Sequence, residues 1–303
     1  MLAVAGFRSR SHPQYRGGVT RVPFRLADVF AEQPFAGNQL CVVPEPVSID
    51  PATMQALARE INFSETTFVS EASEDRFAMR IFTPDAELPF AGHPTIGTAF
   101  VLAAEGRVGR HVTAEVAAGS IPVEIDPERS YAKMHQLPPE FGDEVFDVES
   151  VSLAAGLVPQ DLDLNHLPQV VSTGLRHLIV LARSPEAVAR ARRDEVRVGR
   201  LMTDVEAEAL YLFALTDGGA KARMFDPSPN IGEDPATGSA AGPMAAYLAS
   251  RGLGGLPGRI VVRQGDETGR PSVLDVEVYP DGASWSITVG GGVRIVGEGA
   301  FDV

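Results

Sequence analysis

From Thr20 onward, apolar and polar positions alternate in short runs, with few long helical stripes. VPFRLADVF at 22–30 reads as an edge or hairpin strand, a turn follows at 34–38, and LCVVP at 40–44 reads as a second strand. Asp50-Pro51 predicts an N-cap and first helical residue, with Met54, Leu57, Ala58 and Ile61 along one helical face. TTFV at 66–69 and RFAMRIF at 76–82 predict strands. A Pro/Gly-rich loop then leads into a small-residue helix, TAFVLAAEG at 98–106. Two short strands, VTAEVA and SIPVEID, end the first half.

The second half restarts with a helix over 147–157, followed by strands VVSTG, LIVLA, YLFAL and ARMF and four turn-separated strands from 258 onward. Between them, RSPEAVARARRDEVRVGR at 183–200 carries six arginines. Three interspersed acids and no aromatic residue make it an ordinary solvated helix face. The whole is a strand-heavy α+β chain without regular βαβ repetition.

An internal repeat organises this pattern. Arg80-Ile81-Phe82-Thr83-Pro84 matches Arg223-Met224-Phe225-Asp226-Pro227, both reading R-x-F-x-P. A second block, His93 to Ala99, aligns with Asp234 to Ala240, and each runs into an alanine-rich helix. Two ordered blocks at similar spacing predict two copies of one fold about a pseudo-twofold axis. The expected division is an N-terminal lobe at 20–134, a C-terminal lobe at 135–290, a terminal strand at 291–303 returning to the first lobe, and a tail at 1–19.

The repeated blocks carry candidate chemistry. Gly97-Thr98-Ala99 and Gly238-Ser239-Ala240 read as helix starts with free N–H groups and little side-chain bulk, which attract carboxylates. Facing one another, they would hold a substrate anion and a developing enolate oxygen; plain capping by Thr98 and Ser239 is the other reading. His93 and Asp234 fall in matched positions before the prolines, and Glu233 reads as peripheral. Glu65, in NFSETTFV at 62–69, is a carboxylate set among apolar neighbours, where lost hydration raises its proton affinity into a useful acid/base range. The matching stretch in the second half reads as VSTGLRHLIV at 171–180 and supplies no acid, which favours proton relocation served mainly by one carboxylate.

Composition narrows the field. At 303 residues the chain suits two moderate domains, and 44 % hydrophobic residues argue for compact cores. The net charge is −14 although the first 21 residues hold four arginines and no acid, so the remainder is more acidic still. Such a surface disfavours nucleic acid and anionic lipid as partners. A single cysteine, Cys41, excludes an internal disulfide and reads as a buried small side chain. No apolar run reaches membrane-spanning length, the start lacks the order of a secretory signal, and cytoplasm is the default expectation. The six histidines form no metal-ligand spacing, and neither a nucleotide-binding glycine motif nor a serine nucleophile elbow occurs in context, so no cofactor or metal is expected.

PFAGNQLCVV at 34–43, NFSETTFV at 62–69, RIFTPDAELPFAGHPTIGTA at 80–99, GEDPATGSA at 232–240 and QGDETGRPS at 264–272 together resemble the phenazine-biosynthesis-like (PhzF) family. The resemblance implies the diaminopimelate-epimerase-like fold: two similar lobes, each a curved, mostly antiparallel sheet around a central helix, with a ligand cleft between. It also implies a cofactor-free, commonly homodimeric isomerase acting on a small carboxylate. In the founding activity, trans-2,3-dihydro-3-hydroxyanthranilate loses a proton at C3 and regains one at C1. By matching positions, Glu65 is the expected acid/base, His93 and Asp234 handle substrate and relay protons, and Gly92, Gly238 and Ser239 form the anion cradle. The sequence departs from the family at Gln39, where proline is common, and at Ala241, which puts substrate identity in question. A metabolite-binding protein without turnover, and an epimerase or lyase using the same carboxylates, stand as alternatives.

Overall fold

The computed structural model describes residues 20–46 and 48–303; the basic tail at 1–19 lies outside the described residues. The first half holds β1 (Arg21–Val29), β2 (Asn38–Val43), α1 (Pro51–Ile61), β3 (Glu65–Ala72), β4 (Arg76–Phe82), β5 (Glu87–Leu88), α2 (Gly92–Ala104), β6 (His111–Val116), β7 (Gly119–Asp126) and β8 (Tyr131–His135). The second half holds β9 (Glu140–Glu144), α3 (Val148–Ala154), β10 (Gln169–Ser172), β11 (Arg176–Leu181), α4 (Pro185–Arg190), α5 (Glu195–Val205), β12 (Ala209–Thr216) and β13 (Gly219–Phe225). It continues with β14 (Glu233–Asp234), α6 (Gly238–Ser250), β15 (Gly258–Gln264), β16 (Ser272–Asp281) and the long β17 (Ser284–Asp302). No helix among the described residues is long and apolar enough to cross a membrane.

The two halves repeat one pairing pattern. β2 runs parallel to β3, β3 antiparallel to β4, β4 parallel to β6, and β6–β7–β8 are antiparallel. β11, β12, β13, β15, β16 and β17 follow the same sequence of senses. β17 serves both halves: its first part pairs with β16 and β8, and its second part pairs with β1. β8 leads directly into β9, which pairs with β10, so the mirrored exchange occurs at the other end.

The strands among the described residues form one continuous seventeen-stranded sheet, and each half of it wraps a helix that is apolar all round. Every residue from Gly92 to Leu102 in α2 and from Gly238 to Ala249 in α6 is buried, which a surface helix with one apolar stripe would not allow. Gly97 lets α2 lie against β1 and β2, because a β-carbon there would fall 2.5 Å from a Leu40 methyl carbon. α3, α4 and α5 cover the outer face of the sheet's second half through Val151, Val188, Val198 and Met202. α1 covers part of the first through Leu57 and Ala58. Its N-cap is Asp50, accepting from the Ala52 and Thr53 amides at 2.9 and 3.0 Å, as the sequence predicts.

The repeat is present, but its second block aligns differently from the sequence reading. Arg80 forks onto Glu87 at 2.7 and 2.6 Å and lies over Phe82; Arg223 forks onto Glu233 at 2.7 and 2.6 Å and lies over Phe225. Glu87 pairs with Phe82 as Glu233 pairs with Phe225, which makes Leu88 the counterpart of Asp234. The central helices begin at Gly92 and Gly238, so His93 matches Ser239, five residues from the match expected by sequence. The G-T-A at 97–99 therefore sits mid-helix. The expectation failed because glycine and alanine recur within α2 and align equally well one turn later. The counterpart of Glu65 is likewise Ala209 on β12, not a residue of 171–180, which forms parts of β10 and β11.

The arginine-rich stretch is not one solvated helix. It breaks between α4 and α5, where the buried Arg223 guanidinium donates to the carbonyls of Val188, Ala189 and Ala191. Arg193 turns inward and donates to the carbonyls of Asp226, Pro227 and Ser228, pinning the loop after β13.

Candidate active site

Three segments distant in sequence meet where the starts of α2 and α6 face each other. Glu65 opens β3, His93 is the second residue of α2, and Asp234 ends the short β14. Asn38, the first residue of β2, ties them together. Its amide nitrogen lies 2.7 Å from Asp234 Oδ1, 3.0 Å from the Ala236 carbonyl and 3.1 Å from His93 Nδ1, while Ser64 Oγ donates to its oxygen at 2.9 Å. Gly37, with φ of +69°, turns the chain into β2, and a β-carbon there would strike the Val29 carbonyl at 2.3 Å. Arg270 fixes the same turn from the other half, donating to the carbonyls of Gly37 and Ala36 at 2.7 and 2.9 Å and to buried Asp28 at 2.5 Å.

The site's protons can be assigned. Burial holds the His93 imidazole neutral, pushing its pKa down to about 3 against a smaller opposing pull from the Gln39 backbone. With the Asn38 amide donating to Nδ1, that nitrogen accepts and the ring proton sits on Nε2. That atom lies 3.2 Å from Glu65 Oε2, out of line for a hydrogen bond, and both are buried without another partner. Burial, then the charge of Asp234, raises the Glu65 pKa well above the usual carboxylate range, against a smaller opposing pull from the neighbouring Ser64 hydroxyl. Asp234 is also raised by burial, but Thr237 and Asn38 oppose the shift by donating to its two oxygens at 2.5 and 2.7 Å. Asp234 is thus the better hydrogen-bonded of the two and carries the negative charge, leaving Glu65 to hold the proton.

The cavity beside these groups measures about 160 Å³ and is lined by Glu65, His93, His177, Asp226, Asp234 and the two helix starts, among others. Neither start is capped by a side chain: the N-cap residues, Ala91 and Thr237, make no capping hydrogen bond. Thr237 instead serves Asp234, and Gln264 holds both by donating to the Asp234 carbonyl and to Thr237 Oγ1 at 2.8 and 2.9 Å. Gly92 allows the close approach, since its β-carbon would lie 2.9 Å from the Ser239 amide nitrogen. Two sets of backbone donors with aligned dipoles therefore converge where a small anion would sit. A larger groove of about 470 Å³ crosses the outside of the sheet near Glu124, Lys133, Arg259 and Asp275, but its charges already pair with one another.

Glu65, His93, Asp234, Gly92, Gly238 and Ser239, all singled out from sequence, line this one cavity. Thr98 does not: it is buried within α2, 2.8 Å from Thr67 Oγ1. Glu233 is held by Arg223 outside the central cluster. Sequence reasoning missed Asn38, Thr237, Gln264 and His177. Asn38 and Gln264 lay inside quoted motifs, and asking which polar group opens a buried strand would have singled out Asn38. Cys41 is buried and its thiol is pushed up to about 12 by burial, so it is an inert packing group.

Comparison with known proteins places these features in a family. Residues 27–299 match the family model described as phenazine biosynthesis-like protein. An uncharacterized isomerase of Pasteurella multocida is 34 % identical over 94 % of this chain and 96 % of its own. A trans-2,3-dihydro-3-hydroxyanthranilate isomerase of Pseudomonas aeruginosa is 36 % identical over 91 % of this chain and 95 % of its own. A solved structure of a predicted epimerase from the same species superposes with a TM-score of 0.81 at 38 % identity, covering 92 % of this chain and 98 % of that one.

Proposed function

The chain belongs to the phenazine-biosynthesis-like isomerase family, and from that premise we propose that its cleft moves a proton on a small carboxylate-bearing metabolite, with Glu65 as the acid and base. The observation that carries this reading is the pair of unpartnered buried atoms, Glu65 Oε2 and His93 Nε2, 3.2 Å apart beside two uncapped helix starts.

In this reading the substrate carboxylate lies against the N–H groups at Gly92 and Gly238–Ser239. Glu65, once its resting proton has passed to solvent, takes a proton from a substrate carbon as a carboxylate, and the electron pair left behind delocalises onto the substrate carboxylate. The helix-start donors stabilise that added charge, which is larger in the transition state than in the ground state. Glu65, now a carboxylic acid, returns the proton to a different carbon of the conjugated system. No electrons are gained or lost, so the product is an isomer. A raised proton affinity suits both halves of the cycle, because the same group must take and give. His93 Nε2–H steadies the carboxylate between the two events, and Asn38 holds His93 in that tautomer.

The names of three relatives make trans-2,3-dihydro-3-hydroxyanthranilate the first substrate to try. The test is its conversion in D2O followed by NMR, beside Glu65→Gln. Conversion reduced by about 10²–10⁴-fold in the variant, with deuterium entering the ring to the extent that the Glu65 acid exchanges with solvent before it returns its proton, supports the reading. Normal turnover by the variant removes Glu65 from the role. A folded wild-type protein that leaves this compound unchanged excludes it as the substrate.

A further inference from the structure

The structural repeat exposes a second use of the device that fixes His93. In the first half the N2 residue of the central helix, His93, faces a donor from β2, the Asn38 amide. In the second half the matching N2 residue, Ser239, faces a group from β11, the strand equivalent to β2: His177 Nε2 stands 3.1 Å from Ser239 Oγ. His177 is buried, pairs across the sheet with Ala209, the counterpart of Glu65, and borders the same cavity. Nothing in the proposed proton transfer uses it.

We propose that His177 is a positioning residue that makes Ser239 a dedicated hydrogen-bond donor to the ligand carboxylate, which rests on reading the helix starts as the anion cradle. The argument is an inventory of protons. His177 Nδ1 is buried with no partner. A buried lone pair left unpaired costs less than a buried N–H left unpaired, so the proton belongs on Nε2, where Ser239 accepts it. Burial also lowers the pKa of His177 to about 4, so the ring is neutral near pH 7 and has one N–H to give. With its oxygen occupied as an acceptor, the Ser239 hydroxyl keeps its own hydrogen for a second partner. At the start of α6 that partner is the anion already favoured by the backbone donors. In the reverse arrangement Ser239 would spend its hydrogen on His177 and turn a lone pair toward the carboxylate, which repels it.

The test uses anthranilate as a carboxylate probe, titrated by calorimetry into the intact protein and into His177→Leu, His177→Gln, Ser239→Ala and the His177→Leu/Ser239→Ala double variant. His177→Leu should weaken binding about tenfold, the loss expected for one hydrogen bond to a charged group. His177→Gln, whose amide N–H replaces Nε2–H, should restore affinity to within about threefold. In the Ser239→Ala background the leucine change should cost less than about twofold. Nitrogen-15 NMR of His177 at pH 7 should show a pyrrole-type Nε2 and a pyridine-type Nδ1. Equal losses from His177→Leu with and without Ser239, or the opposite tautomer, overturn the inference while leaving the cradle intact. Failure of anthranilate to bind the wild-type protein at millimolar concentration overturns the cradle and this inference together, and leaves Glu65 to be judged by the deuterium experiment.

Discussion

His93 Nε2 and Glu65 Oε2 lie 3.2 Å apart, and neither has a hydrogen-bond partner among the described residues. Two buried polar atoms left in this state cost stability in the free protein and are relieved by any ligand atom that comes between or beside them. The free site is therefore held away from its own best geometry, and four expectations follow from the forces that hold it there.

The first concerns pH. The folded chain keeps the Glu65 proton to higher pH than the unfolded chain does, because burial and Asp234 raise its pKa. The folded state thus binds more protons above the ordinary carboxylate range, and by linkage its stability is full at low pH and falls as pH rises through that window. Glu65→Gln removes the titration. Its Tm should exceed that of the wild type by at least about 2 °C at pH 9, with the gain shrinking toward pH 4. A Tm difference independent of pH would show that Glu65 ionises normally. His177 has the opposite sign: its lowered pKa gives stability that is full above its unfolded value and is lost as pH falls toward about 4.

Asn38 should govern the pH–rate profile without itself titrating. Asn38→Asp places a third carboxyl group against Asp234 and His93, where like charge raises proton affinity. The acidic limb of kcat/KM should move upward by about one pH unit for each 1.4 kcal/mol of added repulsion. An unmoved limb would mean that this side chain does not share an electrostatic environment with the reacting group.

Arg270 should matter for folding before it matters for catalysis. Asp28 is 2 % exposed and has Arg270 as its charged partner, so Arg270→Met leaves a buried charge unpaired and should cost about 3–5 kcal/mol in denaturant unfolding. Adding Asp28→Asn should recover much of that loss. Additive losses in the double variant would contradict the pairing.

Gly92→Ala should separate the two helix starts, because the new methyl group meets the Ser239 amide nitrogen at 2.9 Å. Anthranilate affinity should fall at least about tenfold while circular dichroism stays close to that of the wild type. Gly199→Ala, in open space on α5, serves as the control and should add about 0.5–1 kcal/mol of stability. Unchanged affinity in Gly92→Ala would argue against an anion held between the helices.

Much of this was legible in the sequence, and the limits were physical. R-x-F-x-P stands out because each arginine forks onto a glutamate and lies over the phenylalanine, which demands fixed residue types at fixed spacing. The second block was misaligned by five residues because small residues inside α2 satisfy packing alone and mimic a helix start. Glu65 showed itself as a carboxylate among apolar neighbours. Asn38 and His177 did not, because their importance lies in partners 55 and 62 residues away in sequence, and no local pattern encodes such contacts. The inward turn of Arg193 was hidden for the same reason: its carbonyl partners belong to a loop formed by another strand pair.

The shared strand β17 has a consequence for how the chain is made. β1 and β8 each need β17 as a neighbour, so the barrel around α2 cannot close until residues 288–302 have been synthesised. During translation the first half waits with two strand edges unpaired while the whole second half emerges, which favours late, all-or-none assembly over sequential domain folding. Residues 20–134 expressed alone should associate through those edges, and a peptide spanning 284–302 should suppress that association if edge pairing is its cause.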